Sequence, residues 1–186
     1  MALDPLDAWY KRLLQNKPVN SPAAGAKNLA DFYGDMADKV QGVGGAPGIF
    51  TFNRSLFVAT LAPGFTPDPS APSWAAKIAN AWNTACAASI ITPGTVPNPA
   101  WTASSVDILT VPIGSATIIT LSSAKGILQS GLIASASAFK GSPEAGQKAF
   151  AKAFLDATKA FQFLTIGLVL APPAPPFPLP LPTPAK

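Results

Sequence analysis

The sequence predicts a mainly α protein, with a compact helical body over residues 1–170 and an extended arm over 171–186. Three observations predict it. Apolar residues recur at helical spacing in four separate segments. Proline-rich stretches fall between those segments, where they act as connectors. Eight of the 21 prolines crowd the last fifteen residues, a composition that forces an extended chain close to polyproline II.

Residues 4–16 read as the first helix, with Asp4 as cap, Pro5 at its first position and a stripe of Leu6, Trp9, Tyr10, Leu13 and Leu14. Pro18 stops it, and residues 17–24 read as a linker. The second helix spans 26–41. Leu29, Phe32, Tyr33, Met36 and Val40 form its apolar face, and Asp31, Asp35 and Asp38 lie opposite. Residues 49–61 fit neither template cleanly; helix is the preferred reading, with strand the alternative. After a connector holding Pro63, Pro67, Pro69 and Pro72, residues 73–90 read as a helix capped by Ser73, with Trp74, Ile78, Ala81, Trp82 and Ala85 on one face.

Residues 92–101 hold three prolines and read as an ordered loop in which Trp101 offers an anchor. Residues 106–113 and 116–121 are rich in Val, Ile and Thr, which allows a short β-hairpin near 106–121; a helix starting near Ser115 is the alternative. Helix is expected from about Ser122 onward. Ser142-Pro143-Glu144 supplies a cap, an N1 proline and an early acid, so a last helix should start there and run to about Leu170. Phe150, Phe154, Ala157, Phe161 and Leu164 would share its buried face.

Composition narrows the function. The chain is 48% hydrophobic and only 12% charged, against about 25% charged in an average domain. It has no His, which excludes Ser-His-Asp and Cys-His catalysis and any His-ligated metal within the chain. Its single Cys, Cys86, allows no internal disulfide and lies among alanines, as a buried structural thiol would. The net charge of +4 comes from scattered bases, with Lys140, Lys148, Lys152 and Lys159 the densest group; nucleic acid is not an expected partner. The N-terminus lacks the basic and apolar regions of a signal peptide. The long uncharged stretches carry hydroxyls or prolines, so a membrane is not an expected partner either.

No constellation for chemistry emerges. Asp31, Asp35 and Asp38 at i, i+4 and i+7 could offer carboxylates to a hard cation, but a solvated helix face accounts for them, with Lys27 one turn before Asp31. The glycine run 42–48 has Pro47 where a phosphate loop needs glycine, and it follows a helix instead of a strand. Ser122 and Lys125 match Ser-x-x-Lys without its companion motifs. Glu144, the only Glu, meets no second carboxylate locally. The expectation is a protein that is not an enzyme and uses no metal or cofactor. The candidate partner-binding residues are Pro176, Phe177, Pro178, Leu179 and Leu181 of the arm, with Trp101: an extended apolar arm is suited to lie in a groove on a neighbour.

The stretch from Trp82 to Leu128, above all 91–101 (ITPGTVPNPAW) and 106–114 (VDILTVPIG), resembles small virion proteins of large tailed bacteriophages and related contractile injection particles. The similarity covers about a quarter of the chain and has no diagnostic motif, so no functional residue transfers with it. It implies a structural component of a tail, neck or baseplate, assembled in the bacterial cytoplasm. The implied partners are other structural proteins of the same particle and further copies of the chain. Two alternatives stand beside it: a proline-rich adaptor that docks its arm on a partner domain, and a membrane-associated protein using residues 108–139 and 160–171.

Overall fold

The computed structural model describes residues 4–38, 49–65, 72–92, 95–97, 110–118, 120–160, 163–169 and 177–185. Their order is α1 (Leu6–Leu14), α2 (Pro22–Ala37), β1 (Ile49–Thr51), α3 (Arg54–Leu61), α4 (Pro72–Ala87), β2 (Ile90–Thr92), β3 (Thr95–Pro97), β4 (Thr110–Ile118), α5 (Leu121–Gly141), α6 (Pro143–Lys159), β5 (Phe163–Val169) and β6 (Phe177–Ala185). The protein is mainly helical, as its periodicity predicts.

Among the described residues, six helices enclose one aromatic core. Tyr33 sits at its centre, with ring centroids 4.6 Å from Phe52, 5.6 Å from Phe154, 5.8 Å from Trp82 and 6.2 Å from Trp9. Phe32 continues the cluster edge-on to Trp9 and Phe154. Such tilted and edge-to-face pairs add to the burial of large apolar rings. The α4 face read from the sequence is buried throughout, and Cys86 is buried beside it.

Helix ends account for most corrections. Asp4 does not cap α1: Pro5 is the N-cap residue and no side chain caps the end. α2 starts four residues before the expected 26, because Ser21 accepts a hydrogen bond from Ala24 N at 3.2 Å and Pro22 fits the first turn. Part of the expected linker is therefore helix. Residues 49–61 divide: β1 takes the first three, then Asn53 caps α3 by accepting from Leu56 N at 3.1 Å. α5 runs through Gly126 and Gly131 without a break.

α5 and α6 form a hairpin around one extended residue, Ser142 (φ −159°, ψ 133°), which ends α5 and caps α6 through Ala145 N. A Cβ on Gly131 would lie 2.6 Å from Ala153 Cβ, so glycine is what lets the two backbones approach here. Phe139 lies over Gly146 in the same way.

The largest correction is at the C-terminal end of the helical body. α6 stops at Lys159 instead of Leu170, and residues 163–169 form β5. Phe163, Thr165, Ile166 and Val169 favour strand, and Gly167 weakens a helix. Leu164 therefore joins a strand, not the buried helical stripe. Phe161 and Val40 lie outside the described residues.

Among the described residues, two sheets accompany the helices. β1 pairs antiparallel with β2. The other sheet has the order β3-β4-β5-β6, antiparallel throughout. Of the expected hairpin near 106–121, the described residues 110–118 form a single strand, β4, whose partners are β3 and β5, and Leu121 begins α5. Of the arm, the described residues 177–185 are extended as expected, but as β6, hydrogen-bonded along β5 in place of a free polyproline helix.

Candidate functional site

The three aspartates, Asp31 and Asp35 in α2 and Asp38 at its C-cap, are half-buried and paired instead of standing free on a solvated face. Their positions at i, i+4 and i+7 align them along one side of the helix, and Arg54, first residue of α3, lies across them. Its Nη1 is 2.8 Å from Asp35 and 3.7 Å from Asp31, and its Nη2 is 2.7 Å from Asp38. Arg12 of α1 donates from Nε to Asp35 at 2.7 Å. Lys27 meets Asp31 at 2.5 Å, the one-turn pair that the sequence suggests. Asp38 also accepts Phe52 N at 2.7 Å, which ties the β1–α3 junction to the end of α2.

Gly34 makes this arrangement possible. A Cβ there would stand 2.2 Å from Arg54 Nε and 2.6 Å from its Cζ. The guanidinium lies over the bare backbone of α2 and reaches carboxylates on both sides. Asp-x-x-Gly-Asp-x-x-Asp over 31–38 is therefore a cradle for one arginine.

Two clefts flank Arg54. One, of about 680 Å³, is lined by Asp4, Lys11, Arg12, Asp35 and Asp38 among others. The second, of about 700 Å³, lies beside Lys27, Asp31, Ser55 and Val58. Three acids face Arg12, Arg54 and Lys27, so the charges cancel. Partial burial opposes ionisation of Asp35, but the hydrogen bonds from Arg12 and Arg54 outweigh it and hold the carboxyl below its ordinary value. A general acid or base works best with a pKa near the operating pH. Asp35 is shifted the other way, as a structural ion pair would be. Among the described residues no group of three His, Cys, Asp or Glu side chains is placed to hold a metal ion.

A second polar group lies in the core. Thr158 donates from Oγ1 to Phe154 O at 2.8 Å, which uses its only hydrogen; the Tyr33 hydroxyl, 3.2 Å away, therefore donates to Thr158. The Cys86 thiol lies against the phenol. Burial pushes both Tyr33 and Cys86 well above their ordinary pKa values, so both are neutral and the thiol is inert.

The outer surface is unusual on α5. Ser123, Ile127, Ser130, Ile133, Ala134 and Ser137 are exposed. Ile127 is 41% and Ile133 46% accessible. Lys125 and Lys140 are the only charges in the 21 residues of this helix.

The partner-binding residues predicted in the arm are brought onto one strand. Phe177, Pro178 and Leu179 stand opposite Val169, Leu168 and Gly167, and Leu181 lies in the same strand at a register shift. Trp101 and Pro176 lie outside the described residues. Sequence reasoning missed the Arg54 cradle. The available signal was that a chain with only two arginines places one at a helix start after three aspartates spaced about a glycine.

No protein family, no curated protein and no solved structure matches this chain. No helix among the described residues is long and apolar enough to cross a membrane.

Proposed function

We propose that the protein is a non-enzymatic structural component of a large symmetric assembly, a bacteriophage virion being the particle its sequence resembles, with a place in the tail, neck or baseplate. The observation that carries this reading is the exposed side of α5. From Gly126 to Phe139 the helix has no charged residue, and it shows water two isoleucines among serines and alanines. Exposed helix faces of free globular proteins are usually charged or strongly polar. Small residues with a few aliphatic anchors suit close approach by another protein surface, and depletion of charge marks the centre of protein interfaces. The ion network at Arg54 supports the same reading from the other side, because its charges are spent on joining α1, α2 and α3.

The experiment is a paired substitution on the exposed face, Ile127→Glu with Ile133→Glu. Both side chains are exposed, so the helical circular dichroism should match that of the parent. The particle mass by light scattering should fall from a defined oligomer to the monomer. An unchanged oligomer with both acids in place would remove α5 from the interface and this support from the reading.

A further inference from the structure

The exposed face of α5 is arranged symmetrically about Ser130. Ile127 and Ile133 stand three positions to either side, Gly126 and Ala134 four, and Ser123 and Ser137 seven, and all are exposed. Residues at these spacings share one side of a helix. Gly126 and Ile133 fall on one flank of the strip, and Ile127 and Ala134 on the other. Each flank thus carries one isoleucine and one small residue, at opposite ends. Gly126 serves nothing within the described chain. A Cβ there would meet nothing within 4 Å, whereas the bare backbones of Gly34, Gly131 and Gly146 are each filled by a side chain. Its φ is not positive either. Glycine inside a helix weakens it relative to alanine, and no internal contact offsets that here.

We infer that this face is covered by the same face of a second copy, the two α5 helices running antiparallel about a two-fold axis at Ser130. The inference rests on the assembly reading above and names the occupant of the face. A two-fold interface joins one patch to itself, so the patch must be self-complementary. The α5 strip meets that condition. Antiparallel packing about Ser130 sets Ile127 level with Ile133 of the second copy, Gly126 with Ala134, and Ser123 with Ser137. Ile133 of each copy then lies on the flank of the other's Gly126, within one residue's rise of about 1.5 Å. Ile127 lies over Ala134 in the same way. Each large side chain enters a hollow left by a small one, which is how helix surfaces interlock. Charge selects the antiparallel order. Lys125 and Lys140, the only charges of α5, then stand level with Ser135 and Thr120 of the other copy. A parallel pair would set each lysine level with its own counterpart. It would also bring like ends of the helix dipoles together, where the antiparallel pair sets opposite ends side by side.

The test is covalent capture in the full-length protein. Ser123→Cys and Ser137→Cys chains are oxidised after co-expression and also singly, and Ser130→Cys is oxidised alone. All three positions are exposed, and the native Cys86 is buried. The antiparallel pair predicts covalent dimers from the co-expressed chains and from Ser130→Cys, and none from Ser123→Cys or Ser137→Cys singly. Dimers of Ser123→Cys with itself and of Ser137→Cys with itself would overturn the antiparallel order. Gly126→Leu gives a second readout with two opposite signs. The helix should resist urea better, while the dissociation constant of the oligomer should rise about tenfold, because the hollow for Ile133 is filled. An oligomer as tight as the parent's would overturn the pairing. A parent of defined oligomeric mass that yields no covalent dimer from any variant leaves the assembly standing and removes the α5 pair; a monomer at every concentration removes both.

Discussion

Gly34 and Arg54 depend on each other. Glycine inside a helix costs about 1 kcal/mol relative to alanine. The cradle offsets that cost, because hydrogen bonds to charged groups contribute about 1.5–3 kcal/mol when sheltered and less when partly exposed. In the parent protein, Gly34→Ala is therefore expected to destabilise by about 1 kcal/mol, since the new methyl displaces the guanidinium. In an Arg54→Ala background the same substitution should stabilise by about 1 kcal/mol, because only helix propensity remains. Urea denaturation of the four proteins measures that change of sign; equal effects in both backgrounds would mean that Arg54 does not lie over Gly34. Titration gives two further expectations at this scale. Asp35 has a folded pKa below its unfolded value, so its contribution is complete above about pH 4 and is lost as pH falls through the folded pKa. Asp35→Asn should flatten the acid limb of a thermal-stability profile. Cys86 and Tyr33 stay neutral in the fold while the unfolded chain ionises, so stability should fall as pH rises beyond about 8.5 for the thiol and about 10 for the phenol. Cys86→Ala should move the start of the alkaline loss upward.

At the scale of elements, what was legible in the sequence followed from local chemistry. The α6 start was written in Ser142, Pro143 and Glu144, and the buried face of α4 in the spacing of Trp74, Ile78 and Trp82. Ser142→Ala should cost about 1 kcal/mol, read as a lower midpoint in urea, because the cap to Ala145 N is lost. Elements decided by distant partners were not legible. Phe163 to Val169 carries enough apolar residues for either period, and its pairing with β4 and β6 settles it as strand. Arg54 looked like one base in an ambiguous segment, because its carboxylates lie 16 to 23 residues earlier in the chain. The arm was legible as extended from its prolines, but the choice between polyproline II and an edge strand needed the register. Pro178 and Pro184, opposite Leu168 and Leu164, leave the edge of β6 away from β5 without N–H donors at those positions, and valine at both would restore them. Thioflavin-binding, β-rich aggregates are the expected result, and a protein that stays as dispersed as the parent would contradict the one-sided edge.

At the scale of the whole molecule, the proposed assembly sets a closed aromatic interior against an exposed helix face that neighbours would cover. The aromatic core and arginine cradle hold α1 to α4 and α6 together, while α5 shows an exposed face with few charges. The measurement that tests this account most directly is the mass of the full-length protein in solution over a concentration series, by mass photometry and light scattering. The account predicts one discrete oligomer of constant copy number over a wide range of concentration, and that number gives the symmetry of the particle. A monodisperse monomer at every concentration would contradict it.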